Sequence, residues 1–150
     1  MPSAGSAKGG SKTIHEIYNE LAAKGVQFYL WDLDCKAVTL EMAGEYAVFL
    51  DFDRIDSASD EAVVLAHEAG HILTGATHRV ASPWDLIERH EQRADRWAIR
   101  HLLPFGALRQ AMRQGCTEPY QLAERFGVTE PFVKKACGYY HDACGLDFND

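Results

Sequence analysis

The stretch His67-Glu68-Ala69-Gly70-His71 constrains this chain more than any other, because it lies in a run whose apolar residues recur at helical spacing. Ala62, Val63, Leu65, Ala66, Ala69, Ile72 and Leu73 form the stripe; Ser57 with Asp60, or Ser59, can cap its start, and Gly75 can end it. Helical residues turn by about 100° each, so two residues four apart lie ~40° from one another around the axis and one turn along it. His67 and His71 therefore offer two imidazoles to one point. Glu68 stands one step round from His67, near enough to contact a water held there without being a ligand. The plainer alternative is two buried, hydrogen-bonded histidines and a solvated glutamate. The motif, the helix around it and a carboxylate downstream together favour a metal site.

Two histidines do not complete a catalytic zinc site, which usually takes three protein ligands and keeps one position open. The third is expected from the segment opening at Ser82-Pro83-Trp84-Asp85, which offers an N-cap, a proline at the first helical position and a capping-box acid. Leu86, Ile87, Ala94, Trp97, Ala98, Leu102 and Leu103 give the helix that follows an apolar face, and Pro104 gives it a stop. Glu91 and Asp95, four apart, share one face of it. Glu91 is expected to ligate, and Asp95 to accept the N–H of a ligating histidine and so fix its tautomer. Charges alternate along 85–96 as they do on a solvated face, and His90 and His78 compete for the ligand role.

These residues carry a resemblance. The histidine motif, followed by Glu91-Gln92-Arg93-Ala94-Asp95-Arg96-Trp97-Ala98 and then Leu102-Leu103-Pro104, resembles the ImmA/IrrE family of metallo-endopeptidases. More weakly, 46–51 resembles the strand before that family's active helix and 122–129 its C-terminal helical region, so the likeness spans 46–140. It implies an α+β, zincin-like fold: a small antiparallel sheet packed with the active helix and a second ligand helix, then a short helical C-terminal region. It also implies Zn2+ held by His67, His71 and Glu91, with Glu68 as general base and Asp95 as the supporting acid. The implied substrate is a protein, a helix-turn-helix repressor of a bacterial mobile element or stress-response locus. Trp97 stands where phenylalanine is usual, and the Gly- and Ser-rich start is an extension.

At 150 residues with 47% hydrophobic content, the chain can build one core and not two comfortable ones. A mobile tail over 1–12, a core over 13–104 and a helical region over 105–150 packed on it are expected. The net charge of −7 argues against a protein that works by neutralising phosphates, so a basic partner is easier to accommodate than nucleic acid. No segment approaches the roughly 18 continuous apolar residues of a membrane span, and 1–12 lacks the apolar core of a signal peptide, which reads as a cytoplasmic protein. Cys35, Cys116, Cys137 and Cys144 include no C-x-x-C pair and read as free thiols.

Thr13 with Glu16 can cap a first helix through Lys24, closed by Gly25. Three β-rich runs follow, 26–32, 36–41 and 46–52, with turns near Asp34 and Gly44, and they read as an antiparallel meander. The third run, just ahead of the active helix, is either the sheet edge that holds a substrate strand or an internal core strand. After Pro104, helices are expected over 107–114, over 118–126 capped by Thr117, and from Glu130 to about Tyr140 capped by Thr129. Their middle has helix-turn-helix spacing, but their charges cancel, which favours packing or substrate docking over DNA reading. The rival classes are a catalytically silent zinc-containing regulator and a DNA-binding helix-turn-helix protein. A donor for a tetrahedral oxyanion is left open among His78, Tyr139, Tyr140 and His141.

Overall fold

The computed structural model describes residues 10–75 and 84–149. Helix α1 (Ile14–Ala23) begins at Thr13, whose side chain accepts the Glu16 N–H, and Gly25 follows its end with φ +82°. Ile17 and Leu21, one turn apart on its inner face, are fully buried. Just ahead of it, Lys12 donates its backbone N–H to the His101 carbonyl at 2.7 Å. Strands β1 (Gln27–Leu30), β2 (Ala37–Met42) and β3 (Glu45–Leu50) come next, close to their expected bounds.

Their pairing corrects the expected meander. β3 lies between the others: β1 runs parallel to it, with Gln27 opposite Ala47, and β2 antiparallel, with Met42 opposite Glu45. The β2–β3 hairpin is a local product, since Ala43 and Gly44 both take the left-handed backbone that a two-residue primed turn needs. The turn near Asp34 is no hairpin. Residues 31–36 cross the C-terminal end of β3 to reach its other side, and Asp51 pins the crossing. Its carboxylate accepts the Leu33 N–H at 3.0 Å, and its own N–H donates to the Lys36 carbonyl at 2.9 Å. Both bonds join residues far apart in sequence, so no local pattern announces them. Of the two readings of 46–52, the internal strand holds, and β1 and β2 are the edges.

Helix α2 (Ala58–Leu73) starts at Ser57, whose hydroxyl accepts the Asp60 N–H at 3.0 Å, and Gly75 follows it with φ +68°. Leu65, Ala66 and Ala69 on its stripe are fully buried in one cluster with Ile17, Leu21 and Val48. Helix α3 (Trp84–Leu102) follows. The expected cap at Ser82-Pro83, and His78, lie outside the described residues. Pro104 stops α3, and α4 (Phe105–Arg113) begins at once, earlier than expected. Helix α5 (Pro119–Phe126) takes Glu118 rather than Thr117 as its N-cap, because the Gln121 side chain accepts both of their backbone N–H groups, at 3.1 and 3.0 Å. Helix α6 (Glu130–Gly138) is capped by Thr129 and continues as a π-helical turn, Tyr139–Ala143. Leu108, Leu122, Phe132 and Val133 from these helices join the same apolar cluster. The result is an α+β fold with a mixed three-stranded sheet and six α-helices among the described residues. None of those helices is long and apolar enough to cross a membrane.

Candidate metal centre and cleft

α2 and α3 meet at a glycine. A Cβ placed on Gly70 would stand 2.6 Å from the Ala94 carbonyl oxygen and 2.8 Å from Ala94 Cα, so no larger residue lets the two backbones come this close. That approach sets Glu91, nearly one turn before Ala94, against the two histidines. Glu91 Oε2 lies 2.8 Å from His67 Nε2 and Oε1 3.0 Å from His71 Nε2, while the two Nε2 atoms are 3.1 Å apart. Among the described residues, His67, His71 and Glu91 form the group of possible metal ligands, with ligand atoms all within 4.8 Å of one another. His90 is not in that group.

Asp95 stands behind the first histidine. Its Oδ1 lies 2.8 Å from His67 Nδ1 and accepts that N–H, which leaves Nε2 facing Glu91 and His71. Its Oδ2 accepts from Lys135 Nζ of α6 at 2.5 Å. Burial disfavours a charged His67, but the hydrogen bonds and negative charges of Asp95 and Glu91 outweigh it and push the ring's pKa up to about 10. Hydrogen bonds from His67 and His71 hold Glu91 far below the usual carboxylate range, against the opposing effect of burial. Burial also acts to raise Asp95, and the contacts with His67 and Lys135 more than offset it.

The donor set fits a divalent cation. Two ring nitrogens 3.1 Å apart, each also within 3.0 Å of a carboxylate oxygen, need positive charge among them. A proton on His67 supplies some of it, and a cation of borderline softness suits a His, His, Glu set directly.

Glu68 is buried, and the Thr39 hydroxyl of β2 donates to its Oε2. It opens with both histidines, Glu91 and Asp95 on one cleft of about 560 Å³. Lys36 to Thr39 form one wall of that cleft, Val63 and Val64 of α2 line it, and Thr129, Phe132 and Lys135 bring the α6 region to it. Three residues of this arrangement escaped the reading of the sequence: Thr39, Gly70 and Lys135. Gly70 alone left a signal, since glycine inside a helix costs about 1 kcal/mol against alanine and so asks for a packing reason. Tyr139, Tyr140 and His141 do not line the cleft. The Tyr140 hydroxyl donates to the Leu103 carbonyl at 2.7 Å, and the Tyr139 hydroxyl accepts from Arg100 Nε at 2.9 Å.

Two histidines and a glutamate on one helix, joined by carboxylates from a second beside a strand edge, make the arrangement expected of a metallopeptidase. A family model described as peptidase M78, the IrrE N-terminal-like domain, matches residues 43–137, more than half of the chain, and the chain belongs to that family. No curated protein and no solved structure matches it. The resemblance read from the sequence is thereby borne out. The matched span contains His67, Glu68, His71, Glu91 and Asp95, and it leaves out β1 and Thr39.

Proposed function

We propose that the protein is a zinc-dependent endopeptidase with a zincin-like core, in which His67, His71 and Glu91 hold Zn2+, Glu68 is the general base and Asp95 orients His67. The observation that carries this reading is the convergence of two imidazole nitrogens and a carboxylate from two helices within 4.8 Å, on the cleft that Glu68 also lines. A zinc ion there would supply a Lewis acid for the scissile carbonyl and a water of pKa near 7. Glu68 takes the proton of the attacking water and passes it to the leaving amine. The Thr39 hydroxyl engages Oε2 of Glu68, which leaves Oε1 for that proton. Asp95 keeps the His67 proton on Nδ1, so Nε2 retains its lone pair for the ion.

β2 is the strand that serves the substrate. Its outer edge pairs with no strand among the described residues, and Ala37 to Thr39 line the cleft, so an extended segment can add there through backbone hydrogen bonds. The substrate on this reading is a protein, and the family resemblance points to a helix-turn-helix repressor. Residues 105–150 act as a packed wall of the site rather than a DNA reader, a role supported by Thr129, Phe132 and Lys135 on the cleft. A silent zinc regulator would have no use for a glutamate buried beside the ligands and held by Thr39. The test is incubation of the zinc-loaded protein with any helix-turn-helix repressor encoded in a neighbouring reading frame. Wild type should cut one bond, and Glu68→Gln, with zinc retained, should cut none; an uncut repressor, or equal cutting by both, overturns the reading.

A further inference from the structure

The sheet has one face under α1 and α2 and one face turned away from them. Side chains alternate along a strand, and Thr39 reaches Glu68 while Val48 and Leu50 are buried, so Val38, Leu40 and Met42, with Phe49 and Tyr29, point outward. Phe49 stacks on Tyr29 with centroids 5.2 Å apart and meets Trp31 edge-on at 6.2 Å, making one aromatic surface. Trp31 is 64% exposed and Met42 73%. Tyr29, Trp31, Leu40 and Met42, four of the nine exposed large apolar side chains among the described residues, lie on this face, which makes a patch rather than the scatter of an ordinary surface.

The surroundings of this patch are acidic. Residues 26–56 hold seven acids against two bases, a net −5 of the chain's −7. Both bases are engaged: Lys36 Nζ donates to Asp60 at 2.8 Å, and Arg54 Nε donates to the Leu33 carbonyl at 2.6 Å. Asp32, Asp34, Glu45 and Asp53, at the strand ends, are exposed. A second copy of this chain would set one acidic face against another, and nucleic acid or an anionic membrane would meet the same repulsion. A positively charged partner with apolar anchors meets none. The cross-strand row Tyr29, Phe49, Val38 also ends at the cleft, which Val38 lines, so whatever sits on the face lies beside the site.

We propose that the outer face of the sheet is a docking site for a basic protein surface carrying apolar side chains, and that it holds the substrate while a neighbouring segment enters the cleft. Only the second half rests on the peptidase reading. The test uses the full chain and two fluorescein-labelled amphipathic peptides, one of leucine and lysine and one of leucine and glutamate, followed by fluorescence anisotropy. The lysine peptide should bind and the glutamate peptide bind at least ~100-fold more weakly. The double variant Tyr29→Ser, Trp31→Ser should weaken lysine-peptide binding by about tenfold or more. Asp32→Asn with Asp34→Asn should weaken it and flatten its salt dependence. Unchanged far-ultraviolet circular dichroism and Tm in these variants report that they fold, and Glu68→Gln should bind like wild type. Equal binding of the two peptides overturns the proposal, as does binding indifferent to the face variants. So does a concentration-dependent dimer in sedimentation that Tyr29→Ser, Trp31→Ser abolishes. If the lysine peptide follows the face while the repressor goes uncut, the docking site stands and the peptidase reading falls.

Discussion

Helices α2 and α3 face each other across one site with opposite characters. On α2 His71 and Glu68 are buried, 6% and 8% exposed, and the His67 side chain is partly buried at 24%, whereas the Glu91 side chain on α3 is 44% exposed. α2 supplies two donors whose spacing is a property of any helix. α3 supplies donors whose position depends on how closely it packs, and that is set by the missing side chain at Gly70. Half of this site is therefore made by helical geometry and half by one backbone contact. The buried half holds its groups rigid, and the more exposed half leaves an approach from solvent.

The sharpest break in that comparison is Glu68→Gln, a change confined to α2. It should keep zinc and lower kcat by about 10²–10⁴-fold, measured as turnover of a protein that the wild type cuts. On α3, Glu91→Ala should weaken zinc affinity by more than the ~10–100-fold expected of Asp95→Ala, read by competition with a chromophoric chelator. Equal affinities in wild type and both variants would remove Glu91 as a ligand. Gly70→Ala acts on the joint between the helices. Alanine favours a helix by about 1 kcal/mol over glycine, but crowding against Ala94 should cost about 1–3 kcal/mol, so Tm and zinc affinity should fall together. A raised Tm would show that the close approach does not govern the site.

The weakest effect is expected at the strand crossing beyond the end of β3, outside both helices, and it serves as their control. The Leu33 N–H bonded to Asp51, followed by the Asp53 N–H and Arg54, holds the Asp51 carboxyl below its ordinary pKa against burial. Because the folded value lies below the unfolded one, this contribution is present above pH about 3.9 and is lost as pH falls through the folded value. Asp51→Asn should therefore flatten the loss of stability below pH about 4, followed by circular dichroism, and leave zinc affinity unchanged. A change in zinc affinity would tie the strand crossing to the metal centre.

Much of the site was legible before the fold was seen. The pair His67 and His71, Glu68 beside them, and the shared face of Glu91 and Asp95 all follow from helical spacing, and the caps at Thr13, Ser57 and Thr129 follow from side chains within three residues of the N–H they accept. Thr39 was not legible, because a threonine in a strand carries no mark of the helix it will face. Lys135 was not legible either: it looks like one of many surface lysines until α6 brings it to Asp95. Thr117 lost its expected role to Glu118 because Gln121 turned back on both, a competition that propensity does not rank.

Local sequence alone sets the helix that carries His67, Glu68 and His71, the order and type of the elements and the chemistry of the side chains, since each rests on residues a few positions apart. Contacts between distant segments are what put β3 between β1 and β2, leave an edge of β2 bordering the cleft, and let α3 approach Gly70 and bring Glu91 to the histidines. Those outcomes depend on pairings between distant segments. Their energies come from burial and packing that no local pattern records.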